Sequence, residues 1–287
     1  MTRWIAIDLH PGHARGWMMT GDTAEARAEV TAPRTPPTDS TLAPLLDALR
    51  AALPDAATAP ALICGLAPGP RCTPVAIPAK PEELLPLPLP GLNASAVPPL
   101  TQRSPFGIMV GMTARIAGFF ALNPNWDGVL CLPGPETHWV QVSAREVVSF
   151  QSALSGTLTR TLSHAIPGLP DASAGGWDKD SFLDALDTTL SRPERLASGL
   201  AVLAAEAALG QLDSGAAPAR LTGLTIGAEL AAARPYWLGQ QVALLGEPAD
   251  IRPYVLALER QGVPCLQADP VRLGLAGLTA LRRRMAR

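Results

Sequence analysis

The 287-residue chain contains no apolar run of about 18 residues, the length a bilayer demands, so no membrane-spanning helix is expected. Charge is sparse at 17%, and 23 basic against 25 acidic residues leave a net charge of only −2 and a pI near 6.1. Such a balance gives no electrostatic means of holding nucleic acid or an anionic membrane. The one local excess, Arg282, Arg283, Arg284 and Arg287, reads as the solvated end of a helix whose dipole it complements. Cysteine is scarce too: Cys64, Cys72, Cys131 and Cys265 lie far apart and never as a CxxC pair. They read as buried thiols in a reducing compartment, not as a zinc site or a disulfide framework. A strand begins almost at once, without signal-peptide architecture, and a cytoplasmic protein is expected.

What is present is organised around Trp4–Met19. A buried-type run, Trp4-Ile5-Ala6-Ile7, delivers Asp8 into a turn carrying Pro11 and Gly12, and the chain returns through Trp17 and Met18. A strand that ends in a carboxylate, followed by a glycine turn, can present that carboxylate and backbone N–H groups to a phosphate and its metal. The pattern recurs where Val129-Leu130-Cys131-Leu132 leads through Pro133-Gly134 to Trp139-Val140.

Short strands are expected at 3–8, 14–20 and about 24–31, with a loop through Pro33, Pro36 and Pro37. Leu42, Leu45, Leu46, Leu49 and Leu53 then recur at helical spacing, with Ser40 placed to cap. Ala61–Cys64 is a short buried strand. Residues 74–105 are rich in proline, and little regular structure is expected there beyond a turn near Glu82. Ile108–Leu122 reads as a helix. A second meander (128–132, 138–143, 146–151) follows, then helices and two strands, Gln241–Leu245 and Val263–Gln267, before a closing helix from Pro270. A meander, helix, strand, helix and strand therefore occur twice, an internal repeat. The expected fold is α/β: two ribonuclease-H-like domains, residues 1–122 and 123–287, facing a central cleft. This is the actin-like ATPase arrangement of sugar kinases, actin and Hsp70.

Within that arrangement the chain resembles the 2-dehydro-3-deoxygalactonokinase family along nearly its whole length. Ile5-Ala6-Ile7-Asp8 and Arg15-Gly16-Trp17 are similar to its opening. Gly65–Arg71 and the proline-containing Pro74–Pro90 match in order, as do Leu132-Pro133-Gly134 with Trp139-Val140. Leu154-Ser155-Gly156-Thr157-Leu158, Gly223–Leu230 and Leu244-Leu245-Gly246-Glu247-Pro248 complete the series. The resemblance implies ATP and Mg²⁺ as cofactors, and an acid sugar phosphorylated on its 6-hydroxyl, 2-dehydro-3-deoxy-D-galactonate. It assigns Asp8 to catalysis and metal, and Gly12, Gly134 and Thr137 to phosphate. Arg71, Ser155 and Gly156 fall to the substrate, and Gly227, Ala228, Gly246 and Glu247 to the nucleotide. Its partners are small molecules, not nucleic acid or membrane, and a homodimer is open to it.

The departures from the family concentrate in the phosphate turns. His10-Pro11-Gly12 stands where the family carries Gly-Thr-Ser, and Pro135-Glu136-Thr137-His138 where it carries Thr-His-Ser-Lys. The family word Met-Arg-Gly-Glu-Glu-Thr reads Met109-Val110-Gly111-Met112-Thr113-Ala114. Proline removes a backbone donor, and Glu136 brings like charge towards phosphate. Two readings therefore stand: a working kinase, and a catalytically degenerate member serving as a binding or regulatory module. Single residues carry paired readings as well. Asp8 is a metal- or phosphate-side carboxylate, or a turn cap. His10 and His13 are replacement donors, or a solvated hairpin turn. Glu136 and His138 are an acid–base pair, or a structural pair on one strand face. Arg71 is a carboxylate clamp or a surface arginine, and Trp17 and Trp139 read as core anchors of the two sheets.

Overall fold

The computed structural model describes residues 2–37, 39–169 and 176–286. It forms two compact units: Met1–Asp127 with Val142–Ser149 and Asp269–Arg287, and Gly128–Gln141 with Phe150–Ala268. The expected boundary near residue 122 thus lies slightly later, and the closing helix belongs with the first unit.

In that unit, β1 (Arg3–His10), β2 (His13–Thr20) and β3 (Thr23–Thr31) form the antiparallel meander, and α1 (Asp39–Ala52) leads to β4 (Ala61–Cys64). The cap expected of Ser40 concerns a side chain outside the described residues. β1 is buried on both faces, which explains its unbroken apolar run; it pairs with β2 on one side and runs parallel to β4 on the other. One face packs Ile5, Ile7 and Met18 against Leu42, Leu45, Leu46 and Leu49 of α1. The opposite face buries Trp4, Ala6, Trp17 and Met19.

Residues 74–105 correct the expectation of little regular structure. β5 (Val75–Ala76), β6 (Leu87–Leu89), β7 (Ala94–Val97) and β8 (Leu100–Arg103) lie there, and β9 (Phe106–Met109) pairs with β8. β7 lies parallel to β4, and β6 closes the edge, where Pro88 is tolerated because its missing N–H is not needed by a further strand. The first sheet runs β3-β2-β1-β4-β7-β6. α2 (Thr113–Leu122) starts later than expected, since Ile108 and Met109 are spent in β9.

The second unit repeats the plan. β10 (Gly128–Leu132), β11 (Thr137–Ser143) and β12 (Glu146–Ala153), the last two meeting in the Val142–Ser149 stretch grouped with the first unit, precede α3 (Ser155–Ala165), α4 (Lys179–Ser191), α5 (Leu196–Ala208), α6 (Ala216–Ala232) and the short α7 (Arg234–Trp237). β13 (Val242–Leu245), α8 (Pro248–Arg260) and β14 (Cys265–Ala268) complete it. The sheet order β12-β11-β10-β13-β14 repeats the first five positions of the other sheet. Trp139 is fully buried against the layer that holds Phe182, Leu186, Ile226 and Tyr254. Trp17 and Trp139 are thus core anchors, and Cys64, Cys72 and Cys131 are buried thiols, while Cys265 is half-buried.

The last helix, α9 (Pro270–Met285), returns to the first unit, where Leu278 and Leu281 cover the Trp4 face beside Ala114 of α2. α2 and α9 cross so closely that a methyl on Gly118 would strike the Leu273 carbonyl, and one on Gly277 the Ala114 carbonyl. Backbone cannot yield as a side chain can. Gly277→Ala is expected to cost roughly 3 kcal/mol or more in urea denaturation, whereas Gly69→Ala, with open space around it, should change stability by less than about 0.5 kcal/mol.

Candidate functional site

In the first unit the β1–β2 hairpin closes through Pro11 and Gly12, with His10 paired to His13 and Asp8 to Arg15. Asp8 is wholly buried. His10 Nε2 lies 2.8 Å from Asp8 Oδ2, and Arg115 Nη2, from the first turn of α2, lies 3.7 Å from the same oxygen. Arg115 Nη2 also sits 2.6 Å from His10 Nδ1 and 2.8 Å from Nε2 of the same ring. The Nε2–H of His10 donates to Asp8. His13 stacks on His10 with ring centroids 4.7 Å apart. Burial works to raise the Asp8 pKa, but His10 and Arg115 overcome it and hold the carboxyl below its ordinary value. Oδ1 of Asp8 is buried without a partner.

The turn itself has little to offer an anion. Pro11 carries no N–H, and the Gly12 N–H already donates to the Pro33 carbonyl at 3.1 Å. Arg71 is exposed on its loop, with Nη1 3.4 Å from the Pro90 carbonyl.

In the second unit the turn Pro133–Glu136 is clamped to the start of α3. Thr157 donates both its N–H (2.8 Å) and its hydroxyl (2.9 Å) to the Pro135 carbonyl. Gly156 lies so close to the Gly134 carbonyl that no Cβ could fit. Gly134, Ser155 and Gly156 line a cavity of about 360 Å³ together with Trp177, Ile226 and Tyr254. Behind it stands Glu229, buried, accepting from Trp139 Nε1 at 2.8 Å, from the Tyr254 hydroxyl at 2.9 Å and from Ser155. Thr137 is fully buried, 2.8 Å from the Tyr254 hydroxyl. Burial raises the Glu229 carboxyl, against the three donors that favour its charge. It also pushes the Tyr254 phenol well up, with Glu229 adding to the effect.

Glu136 and His138 both reach Ser152: His138 Nδ1 lies 2.8 Å from its hydroxyl, and Ser152 bonds the Glu136 carboxylate as well. They share a serine, and His138 is buried against Phe150. Burial lowers the His138 pKa to about 4 and raises that of Glu136.

The remaining nucleotide-side candidates separate. Gly246 stands beside Pro133 and Ile251, next to the second turn, and Glu247 precedes α8 at its N-cap position. Gly227 faces α4, where a Cβ would strike Thr189 and the Leu186 carbonyl, so helix packing accounts for it; Ala228 beside it is half-buried. Arg115, Glu229, Tyr254 and Trp177 are missing from the expected set. The family word's arginine is still absent at Val110; Arg115, five residues on in the first turn of α2, supplies a different guanidinium. Glu229 left a signal: a lone acid in an otherwise uncharged stretch of α6, Leu221–Ala232.

A metal would find a limited donor set. Among the described residues no group of three or more His, Cys, Asp or Glu side chains comes together. Asp8 leaves one oxygen, Oδ1, buried and without a hydrogen-bond partner. That fits a magnesium ion carried mainly by nucleotide phosphates and water, the way this cation is commonly held, better than a resident metal.

The strand order, occurring twice, and the turn that opens each sheet define a protein of the actin-like ATPase fold, the class to which sugar kinases belong. The sequence profile of the 2-keto-3-deoxy-galactonokinase family matches residues 12–281, and the chain belongs to that family. A probable 2-dehydro-3-deoxygalactonokinase of Rhizobium meliloti is 28% identical over 257 residues, 83% of each chain. The 2-dehydro-3-deoxygalactonokinase of Escherichia coli is 30% identical over 141 residues, 48% of this chain and 46% of that one. The crystal structure of a putative 2-dehydro-3-deoxygalactonokinase from Sinorhizobium meliloti superposes with a TM-score of 0.84 at 26% identity, covering 98% of this chain and 96% of that one. The activator of 2-hydroxyisocaproyl-CoA dehydratase from Clostridium difficile, solved with ADPNP, shares the fold at a TM-score of 0.56 and 10% identity, covering 99% and 96%.

Two stability tests follow from these networks. Arg115→Met strands a buried carboxylate and should cost about 3–5 kcal/mol in chemical denaturation, with Asp8→Asn in the same chain recovering part of the loss. Because Asp8 is depressed, its contribution is present above an unfolded value of about 3.9 and is lost as pH falls through the lower folded value. His138 is also depressed, so the folded state binds its proton less readily than the unfolded one. Its contribution is present above 6.5 and fades as pH falls towards about 4. His138→Gln should therefore lose roughly 3 kcal/mol less than the unsubstituted chain between pH 7 and pH 4, read by urea denaturation at each pH.

Proposed function

We propose that the chain is an ATP-dependent sugar-acid kinase, transferring the γ-phosphoryl group to the 6-hydroxyl of 2-dehydro-3-deoxy-D-galactonate. The observation that carries this reading is the second-unit cavity. It has an apolar and aromatic wall (Leu169, Trp177, Leu221, Ile226, Tyr254) suited to a purine, ending at Gly134 and the start of α3, where phosphates would meet backbone N–H groups. Gly134, Ser155 and Gly156 take the nucleotide side in this assignment, with Gly246 and Glu247 flanking the turn. This moves Ser155 and Gly156 from the acid sugar, and Thr137 is a support for Tyr254.

In the first unit Arg71 takes the carboxylate of the acid sugar. Asp8 takes the acceptor hydroxyl through Oδ1, which is buried and unpartnered in this structure and has to be uncovered for the sugar to reach it, its other oxygen being held by His10. A carboxyl kept below its ordinary pKa is a weak base, so Asp8 orients the hydroxyl and accepts its proton late. Phosphoryl transfer through a loose transition state asks mainly for positioning and charge neutralisation. The sugar oxygen bonds to the γ-phosphorus, the bond to the ADP oxygen breaks, and the hydroxyl proton passes to Asp8. Magnesium, when bound, offsets charge on the phosphates.

A second reading, a degenerate member that binds without turnover, draws on the first turn, where Pro11 lacks an N–H and that of Gly12 is already engaged. Titration calorimetry with ATP, with and without magnesium, followed by a coupled assay over acid sugars, decides between them. Magnesium-dependent binding with ADP formation on the named sugar supports the kinase, and binding without turnover selects the second reading. Silence at millimolar ATP overturns the kinase and supports the degenerate reading. Trp177→Ala is expected to weaken ATP binding by about tenfold or more, the usual worth of an aromatic surface against a base.

A further inference from the structure

We propose that the outer face of α5 pairs two copies of this chain, helix against helix and antiparallel about a two-fold axis. α5 is an unusual surface helix, because Glu206 is the one charged residue within it. Leu203 and Ala207 are its buried residues, whereas Val202 is 52% exposed and Leu209, just after the helix, 71%. Arg195, Ser198, Val202, Ala205 and Leu209 recur at alternating spacings of three and four, the stripe by which one helix seats against another. The stripe borders a groove of about 500 Å³ whose walls include Asp184 and Thr188 of α4, and whose floor holds Arg220 and Leu224 of α6. Gly199 lets α5 settle close on Leu224.

The charge pattern selects the occupant. Arg195, exposed at the N-terminal end of the stripe, has no ion-pair partner among the described residues, and Glu206 lies on the same face eleven residues on, about 16 Å along the axis. The stretch between them is uncharged. A copy laid antiparallel brings Arg195 to Glu206 of the partner subunit, and the two-fold axis makes that contact twice. A parallel copy would set like against like. Glu206 already holds Arg220, and a carboxylate has lone pairs for a second guanidinium.

Sedimentation equilibrium of the full chain tests this. A dimer is expected at micromolar concentration, with Val202→Glu giving a monomer of unchanged circular dichroism. Arg195→Glu should raise the dissociation constant roughly tenfold or more, and adding Glu206→Arg to the same chain should restore it to within about threefold, because the pair is remade in reverse. Thermal unfolding reads the lost Arg220 contact separately. A monomer at about 100 μM overturns the proposal, as does a dimer indifferent to Val202→Glu or a charge swap without rescue.

Discussion

A carboxylate buried at the end of a central strand must be neutralised or given donors, and much of the first unit is arranged around that demand. Asp8 emerges from a strand covered on both faces, so water cannot serve it. Compensation comes from two directions: His10, two residues on in the same strand, and Arg115, which reaches in from α2. α9 must leave room for the group as well, and at its nearest point it carries Gly274, whose added Cβ would stand 3.0 Å from Asp8 Oδ2. The close crossing of α2 and α9 is thus coupled to the charge cluster, since one helix supplies the guanidinium and the other the clearance.

The second unit meets the same demand in a different way. Among the described residues Glu229 has no cation within hydrogen-bond reach; an indole, a phenol and a hydroxyl bond it instead. Each donor comes from a different element, so the carboxylate ties α6 to β11, α8 and α3. Neutral donors stabilise charge less than a guanidinium does, and burial wins here, raising the pKa that Arg115 and His10 depress at Asp8. One unit therefore holds a firmly ionised acid behind its opening turn, while the other holds an acid that gains a proton more easily.

The fold was largely legible because its signals are local. The two-residue turn at Pro11-Gly12, the unbroken apolar run of β1 and the leucine spacing of α1 each specify their own element, and the repeat of their order specifies the class. Residues 74–105 were not legible in this way. Their strands are two to four residues long, and Leu87–Leu89 holds its place by pairing across the sheet, not by any pattern of its own. Pro88, which reads as a loop signal, sits on the edge strand, where a missing donor costs nothing.

The site was legible in its turns and not in its support. Asp8, Gly134, Ser155 and Gly156 were singled out because strand ends and glycine turns announce themselves, and the last three line one cavity. Arg115 lies 107 positions from Asp8 in sequence, and nothing in the spacing of α2 points its side chain at a strand. Yet Arg115 decides what Asp8 can do. A carboxylate sharing Oδ2 between imidazole and guanidinium keeps one buried oxygen, Oδ1, without a partner, and its neighbours have already lowered its basicity. Under the proposed function this turn would align a hydroxyl and not deprotonate it outright. That distinction lives in a contact between distant residues and not in any motif.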